Sequence, residues 1–313
     1  MGLRQIHASN AFGFTLVELL ITLVISGVAL AGVYTIFVSQ QRSYIVQDEV
    51  VEMQQELRAT MEIVAREIRN AGRDTTSSRT ACTGGGDASA GLPLGRPFIL
   101  ASPFRVQVSM DLSDPPDDDC LDPNENVGFG FSDADDVIAD GIADAGVASF
   151  GRDTGGGFQP ISGDAIHAIG FAYAFDCNND GLIETDNAGR IIWAVPTGPS
   201  TVAPCGAGNG LGGPCPAGTC GGWTSLDTDN DGDIDVADAA TVGIAADPTQ
   251  RDQIRGVKIW LLARTSRVDP QYVDTNTYKV GANVVDPIPN DNFRRRVMTT
   301  HVRCRNMGIL PVP

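Results

Sequence analysis

The stretch FGFTLVELLITLVISGVALAGVYTIF, residues 12–37, contains a single charged side chain, Glu18. A bilayer is crossed by a helix of about 20 apolar residues, and Phe14 to Val38 meets that length. A carboxylate inside such a segment costs roughly 2.5–3.5 kcal/mol unless a positive group meets it. Ahead of it, MGLRQIHASNAFG is short and polar with Arg4 as its certain positive charge, which holds the N-terminus on the cytoplasmic side. Behind it the pattern changes but does not stop. Val50, Met53, Leu57, Met61, Val64 and Ile68 recur at spacings of three and four, with Gln54, Gln55, Glu56, Arg58, Glu62, Arg66 and Glu67 between them. The spacing predicts one helix from Phe14 to about Ala71, roughly 85 Å long at 1.5 Å per residue, closed by Gly72 as C-cap. Its first half is apolar all round; its second half is amphipathic and needs a sheet to pack on.

The remainder, residues 73–313, reads as a loop-rich head. The 36 glycines and 18 prolines of the chain point to many turns. Between polar stretches such as DLSDPPDDDCLDPNENVGFGFSDADD lie short β-type runs: FRVQVSM (104–110), AIHAIGFAYAF (165–175), RIIWAV (190–195), VKIWLLART (257–265) and RRVMTTHVRC (295–304). Helix and strand do not alternate, which argues against a doubly wound sheet. The expected class is α+β, with the long N-terminal helix packed on a mainly antiparallel sheet. The net charge of −17 argues against nucleic acid as a partner and suits divalent cations. Cys82, Cys120, Cys177, Cys205, Cys215, Cys220 and Cys304 all follow the apolar segment and read as disulfides in an oxidising compartment, with one thiol left over. CGAGNGLGGPCPAGTC has no CxxC pair and no histidine, so disulfides fit it better than a metal knuckle.

DTDNDGDIDVAD (227–238) sets acidic residues at every second position with glycine at the sixth. A calcium loop of EF-hand type wraps its ion, so only alternate side chains point inward, and the sixth position turns sharply. In that reading Asp227, Asp229 and Asp231 bind through side chains, Asp233 through its carbonyl and Asp235 through water. Asp238 stands where the last glutamate usually does, a variant that resembles dockerin-type loops. Ile234 would plug the loop onto the core, and VADAATVGIAA would form an exit helix, whereas CGGWTSL cannot form an entry helix. The bland alternative, a solvated Asp-Gly turn, leaves the convergence of so many carboxylates without an offsetting charge. A second loop, DCNNDGLIETD, offers Asp176, Asn178, Asp180, the Leu182 carbonyl and Glu184, with Asn187 in the closing position. SDADDVIADGIAD reads as an acidic surface loop.

No HExxH, GxSxG or P-loop pattern occurs, and His167 and His301 each sit in a strand-like run, so no enzyme is expected. FRRR (293–296) is a basic spot suited to ion pairing with the Asp loops or with a neighbouring subunit.

The apolar segment admits three fates. Ala29–Ala31 offers a secretory cleavage site, and an uncut anchor is the second reading. The third rests on GFTLVELL, which resembles the signature of the type IV prepilin family. That resemblance implies cleavage between Gly13 and Phe14 by a prepilin peptidase, N-methylation of Phe14, and pairing of Glu18 with the Phe14 amine of a neighbouring subunit. VEMQQELRATMEIVAREIRNAGRD, IRGVKIWLLARTS, YKVG and FRRRVMTTHVRCRNMG further resemble PilW-type minor pilins, which are related to J-type pseudopilins of type II secretion. The resemblance covers both ends of the chain and little of the middle. It implies a leader (1–13), a pilin helix (14–72, transmembrane over 14–38) and a head (73–313). The chain would wait in the inner membrane with its head in the periplasm, then reach the pilus or cell surface beside other minor pilins and the major pilin. The alternatives are a secretion pseudopilin and a pilus-associated surface adhesin.

Overall fold

The computed structural model describes residues 13–73, 97–112, 125–144, 148–155, 157–163, 165–176, 181–196, 223–238, 251, 253–286 and 291–307. Helix α1 runs Leu16–Asn70, within two residues of the predicted span at each end. The chain divides into two compact units, one ending at Glu49 and one beginning at Val50.

In the first unit α1 is exposed all round, with Leu16, Leu23, Val28, Leu30, Val33, Ile36 and Phe37 open to the surroundings. It is long and apolar enough to cross a membrane.

In the second unit α1 buries Met53, Leu57, Thr60, Met61, Val64 and Ile68, five of the six apolar positions picked out by spacing; Val50 packs half-buried on the same core. The helix ends as expected at Gly72. Its φ of +67° is left-handed, and its N–H donates to Ser109 O at 2.9 Å.

All strand pairings among the described residues of this unit are antiparallel. One sheet has the order β1 (Phe98–Ala101), β2 (Val106–Ser109), β3 (Asn126–Gly130), β4 (Gly151–Asp153), β5 (Phe158–Pro160). The other has the order β12 (Arg295–Arg303), β9 (Ile254–Arg264), β6 (Ile166–Phe175), β7 (Ala194–Pro196), β8 (Trp223–Ser225). The hairpin β10 (Tyr278–Val280) and β11 (Asn283–Val285) stands apart in pairing. The predicted run at 190–195 shrinks to β7, because Ile191 and Thr185 form only an isolated bridge.

Strand β6 is buried along its whole length because its two faces are built differently. Ile169, Phe171, Tyr173 and Phe175 enter the core that holds the helix side chains, whereas Ala168 and Ala172 line a second, thinner cluster. Small residues there admit the hairpin. A side chain on Gly170 would come within 2.8 Å of the Gly281 backbone. Phe175 stacks on Trp223 with ring centres 5.4 Å apart.

A buried charge network fixes the start of β12. Between Ile166 and Ala168 the β6–β9 register slips, which makes His167 the extra residue of a bulge and re-aims its side chain. Its Nδ1 accepts from Arg295 Nε at 3.2 Å. Arg295 Nη1 donates to Asp274 Oδ2 at 3.2 Å, and its guanidinium also pairs with Asp291. Asp274 further accepts from the Tyr278 hydroxyl at 3.0 Å and from Asn276 Nδ2 at 3.1 Å.

Candidate functional site

At the N-terminal site, Gly13 and Phe14 precede the helix and Phe14 is exposed. Glu18 Oε2 accepts from Thr15 N at 2.9 Å and from Thr15 Oγ1 at 3.0 Å, while Glu18 N donates to Thr15 Oγ1 at 3.2 Å. This is a reciprocal capping box, in which a hydroxyl residue and an acid three positions on satisfy each other's backbone donors. The T-x-x-E spacing was legible in the sequence, but reading Glu18 only as an intersubunit partner overlooks Thr15.

The acidic loop follows β8 directly. The carboxylate oxygens of Asp227, Asp229 and Asp231 lie within 4.8 Å of one another. Gly232, at φ +101°, donates its N–H to Asp227 Oδ2 at 3.0 Å and so folds the sixth position back onto the first. Asp229 and Asp231 each accept a backbone N–H two residues on, at 3.2 and 2.8 Å. These turns set the alternation physically, each carboxylate holding the backbone that places the next. Asp227 Oδ1 is buried and makes no hydrogen bond among the described residues. Burial raises the Asp227 carboxyl, the Asp238 charge adds to that, and the Gly232 N–H opposes it. Ile234 packs half-buried against the second cluster, as expected of a plug.

Asp238 behaves differently from its three predecessors. Its Oδ1 accepts from Thr228 N at 2.5 Å and Thr228 Oγ1 at 2.9 Å, and its Oδ2 from Asp235 N at 2.9 Å. Burial pushes this carboxyl upward, but those hydrogen bonds and the Lys279 ammonium outweigh it and hold it below its ordinary value. Asp238 thus latches the loop shut from behind and lies outside the oxygen cluster. Asp233 and Asp235 are exposed, and Asp235 Oδ1 caps Ala237 N at 2.8 Å. The exit helix predicted from VADAATVGIAA falls beyond 238, outside the described residues.

Sequence reasoning missed the groups that brace this loop. Arg190 Nη1 donates to Asp231 O at 2.5 Å and Nη2 to Asn230 O at 3.1 Å, and the same guanidinium pairs with Asp186 at 2.5 Å. Lys279 Nζ donates to Asp238 O at 2.6 Å. Neither contact has a local signal, since each joins residues about 40 positions apart.

In the second loop the structure describes Asp176, Leu182 and Glu184, whereas Asn178 and Asp180 lie outside the described residues. Asp176 is buried. Its Oδ2 accepts from Gly181 N at 3.1 Å and Arg255 Nη2 at 3.2 Å, and its Oδ1 makes no hydrogen bond among the described residues. Gly181 at φ +84° matches Gly232 in position and conformation. In the third acidic stretch Asp136 closes on its own backbone, accepting from Asp140 N and Gly141 N at 3.0 and 2.9 Å.

Of the cysteines only Cys304 is described. It is a free buried thiol, and burial pushes it up to about 12. The disulfide reading of Cys82, Cys120, Cys177, Cys205, Cys215 and Cys220 concerns residues outside the described set.

With this geometry in place, comparison with known families gives two matches. The Prokaryotic N-terminal methylation motif covers residues 8–34, and Type IV Pilus-assembly protein W covers residues 224–306. The chain thus carries a prepilin-type methylation motif at the start of α1 and a segment similar to PilW in its C-terminal region. The acidic loop and strands β9 to β12 lie within the PilW match. Among solved structures, a type IV-like pilin from Thermus thermophilus aligns at 15% identity with a TM-score of 0.35, covering 82% of this chain and 98% of that one. Comparison with curated proteins gives no match.

Proposed function

We propose that this chain is a minor pilin that helps start or joins a type IV pilus, and that its work is binding rather than chemistry. The observation that supports assembly is the all-round exposure of apolar side chains along the part of α1 that lies within and just beyond the methylation motif. A prepilin peptidase cuts after Gly13, the Phe14 amine is methylated, and Glu18 meets the Phe14 amine of a neighbouring subunit as the helix leaves the inner membrane. Two groups that are each costly in lipid then neutralise one another. The head waits in the periplasm and confers specificity for the other minor pilins and the major pilin.

The head holds one Ca²⁺ in the 227–238 loop. What supports this is the buried Asp227 Oδ1 without a hydrogen bond among the described residues, beside the clustered oxygens of Asp229 and Asp231. Hard oxygen donors at that density suit Ca²⁺. Asp233 supplies its carbonyl and Asp235 a bridging water. Asp176, Asn178, Asp180, the Leu182 carbonyl and Glu184 form the second site.

A strain lacking the protein separates the readings. Loss of major pilin from the sheared surface fraction, with normal enzyme secretion, is expected. Normal pili with enzymes trapped in the periplasm would make the chain a secretion pseudopilin instead. Intact pili that no longer attach to surfaces would make it an adhesin.

A further inference from the structure

Strand β12 is the end strand of its sheet, and among the described residues only β9 pairs with it. An unpaired edge offers a row of backbone donors and acceptors to any extended chain, and proteins usually blunt such edges with bulges, prolines, central charges or covering segments. Among the described residues those devices are missing from the middle of the strand. Pairing with β9 runs unbroken from Arg295↔Arg264 to Arg303↔Gly256, without a register shift. The centre, Val297, Met298, Thr299 and Thr300, carries no charge and no proline. No described element lies hydrogen-bonded along the outer edge.

Charge sits only at the two ends. Arg295 is consumed by Asp274 and Asp291, but Arg296 and Arg303 are exposed and have no ion pair among the described residues, and exposed Arg305 follows in the same state. On a chain of net charge −17 this is a local inversion of sign. Arg296 and Arg303 are seven residues apart, roughly 24 Å at about 3.4 Å per strand residue. Pairing of two copies along the whole strand would set Arg303 opposite an Arg295 whose charge Asp274 and Asp291 already offset. A second copy thus brings no carboxylate to Arg296 or Arg303, whereas an acidic segment does.

We infer that the outer edge of β12 is a docking site for an extended segment of an acidic protein partner, which adds antiparallel as a further strand. Its backbone pairs with the uncharged centre. Carboxylates seven residues apart meet Arg296 and Arg303, which point to opposite faces of the sheet, as residues at that odd spacing on the incoming strand also do. This inference is independent of whether the loop at 227–238 binds calcium.

The test uses the full chain in detergent micelles and the peptide Glu-Thr-Val-Thr-Val-Thr-Val-Glu, with a Lys-ended version as control. Amide hydrogen exchange across residues 295–303 is followed by mass spectrometry. The Glu-ended peptide is expected to slow exchange there, and the Lys-ended peptide to bind roughly tenfold more weakly, since each end charge turns from attraction to repulsion. Both arginines are exposed, so the Arg296→Glu, Arg303→Glu variant keeps its fold, and in it the preference is expected to reverse. Unchanged exchange with either peptide, equal binding of both, or no reversal in the variant would overturn the inference. So would protection that grows with protein concentration in the absence of peptide, because the occupant would then be a second copy.

Discussion

Acidification should weaken the head through His167, by an amount the structure fixes. Burial, with Arg295 and Arg264 adding to it and Asp291 opposing, lowers this imidazole from 6.5 to about 4. Its Nδ1 already accepts from Arg295 Nε, so a proton there would set two donors against each other. The unfolded chain takes up this proton near pH 6.5, and the folded chain refuses it until about pH 4. Stability from this group is therefore complete above pH 6.5 and falls as pH drops towards 4, by roughly 3 kcal/mol across the window. His167→Gln keeps a neutral acceptor for Arg295 and removes the titration. The three tryptophans, Trp193, Trp223 and Trp260, all lie in the second unit, so their fluorescence reports its unfolding in urea with the full chain in detergent. Between pH 7.5 and 4 the parent should lose about 3 kcal/mol more than the variant. Parallel losses in the two proteins would refute the reasoning, since the bulge would then be no obstacle to the proton.

Three further outcomes can be checked on the same preparation. Calcium at about a hundred times its dissociation constant should stabilise the head by about 2.7 kcal/mol, a rise in Tm on the order of 5–10 °C, and Asp231→Ala should abolish the shift; superimposable melts of the parent with calcium and with chelator would remove calcium from the account. Gly232→Ala should cost on the order of 2 kcal/mol and blunt the calcium response, because the residue sits at φ +101° and a Cβ would collide with the Arg190 guanidinium; an unchanged urea midpoint would show that Arg190 yields freely. Asp274→Ala should cost roughly 3–5 kcal/mol, since it strips a carboxylate from the guanidinium of Arg295, whose side chain is only 1% exposed; a loss below about 1 kcal/mol would mean Asp291 alone suffices.

Periodicity made some of this legible and distance hid the rest. The helix could be read over its whole length, because a three-and-four spacing needs no knowledge of what covers it: Met53 to Ile68 bury as expected. The long strands β6, β9 and β12 could be read from runs of β-branched and aromatic residues. Strands β3, β4 and β5 could not, since Gly128, Gly130 and Gly151 leave short segments whose pairing is decided by the neighbouring strand. In the acidic loop the alternation located Asp227, Asp229, Asp231 and Gly232. The role of Asp238 escaped because a loop template assigns ligands by position, whereas its carboxylate answers to Thr228, and its carbonyl to a lysine brought in from β10.

Glu18, the charge that first marks the sequence, gains a second physical meaning from Thr15. A helix start leaves four N–H groups without intrahelical acceptors, and in lipid each unsatisfied group costs several kcal/mol. By accepting from Thr15 N and Oγ1, Glu18 satisfies donors at the very end of α1 where the apolar segment begins. The carboxylate therefore has a use within its own chain before any neighbour arrives. An incoming amine then has to compete with the Thr15 hydroxyl and amide for Oε2, so what matters for assembly is the difference between the two sets of hydrogen bonds, a smaller quantity than the full cost of a bare charge in the membrane.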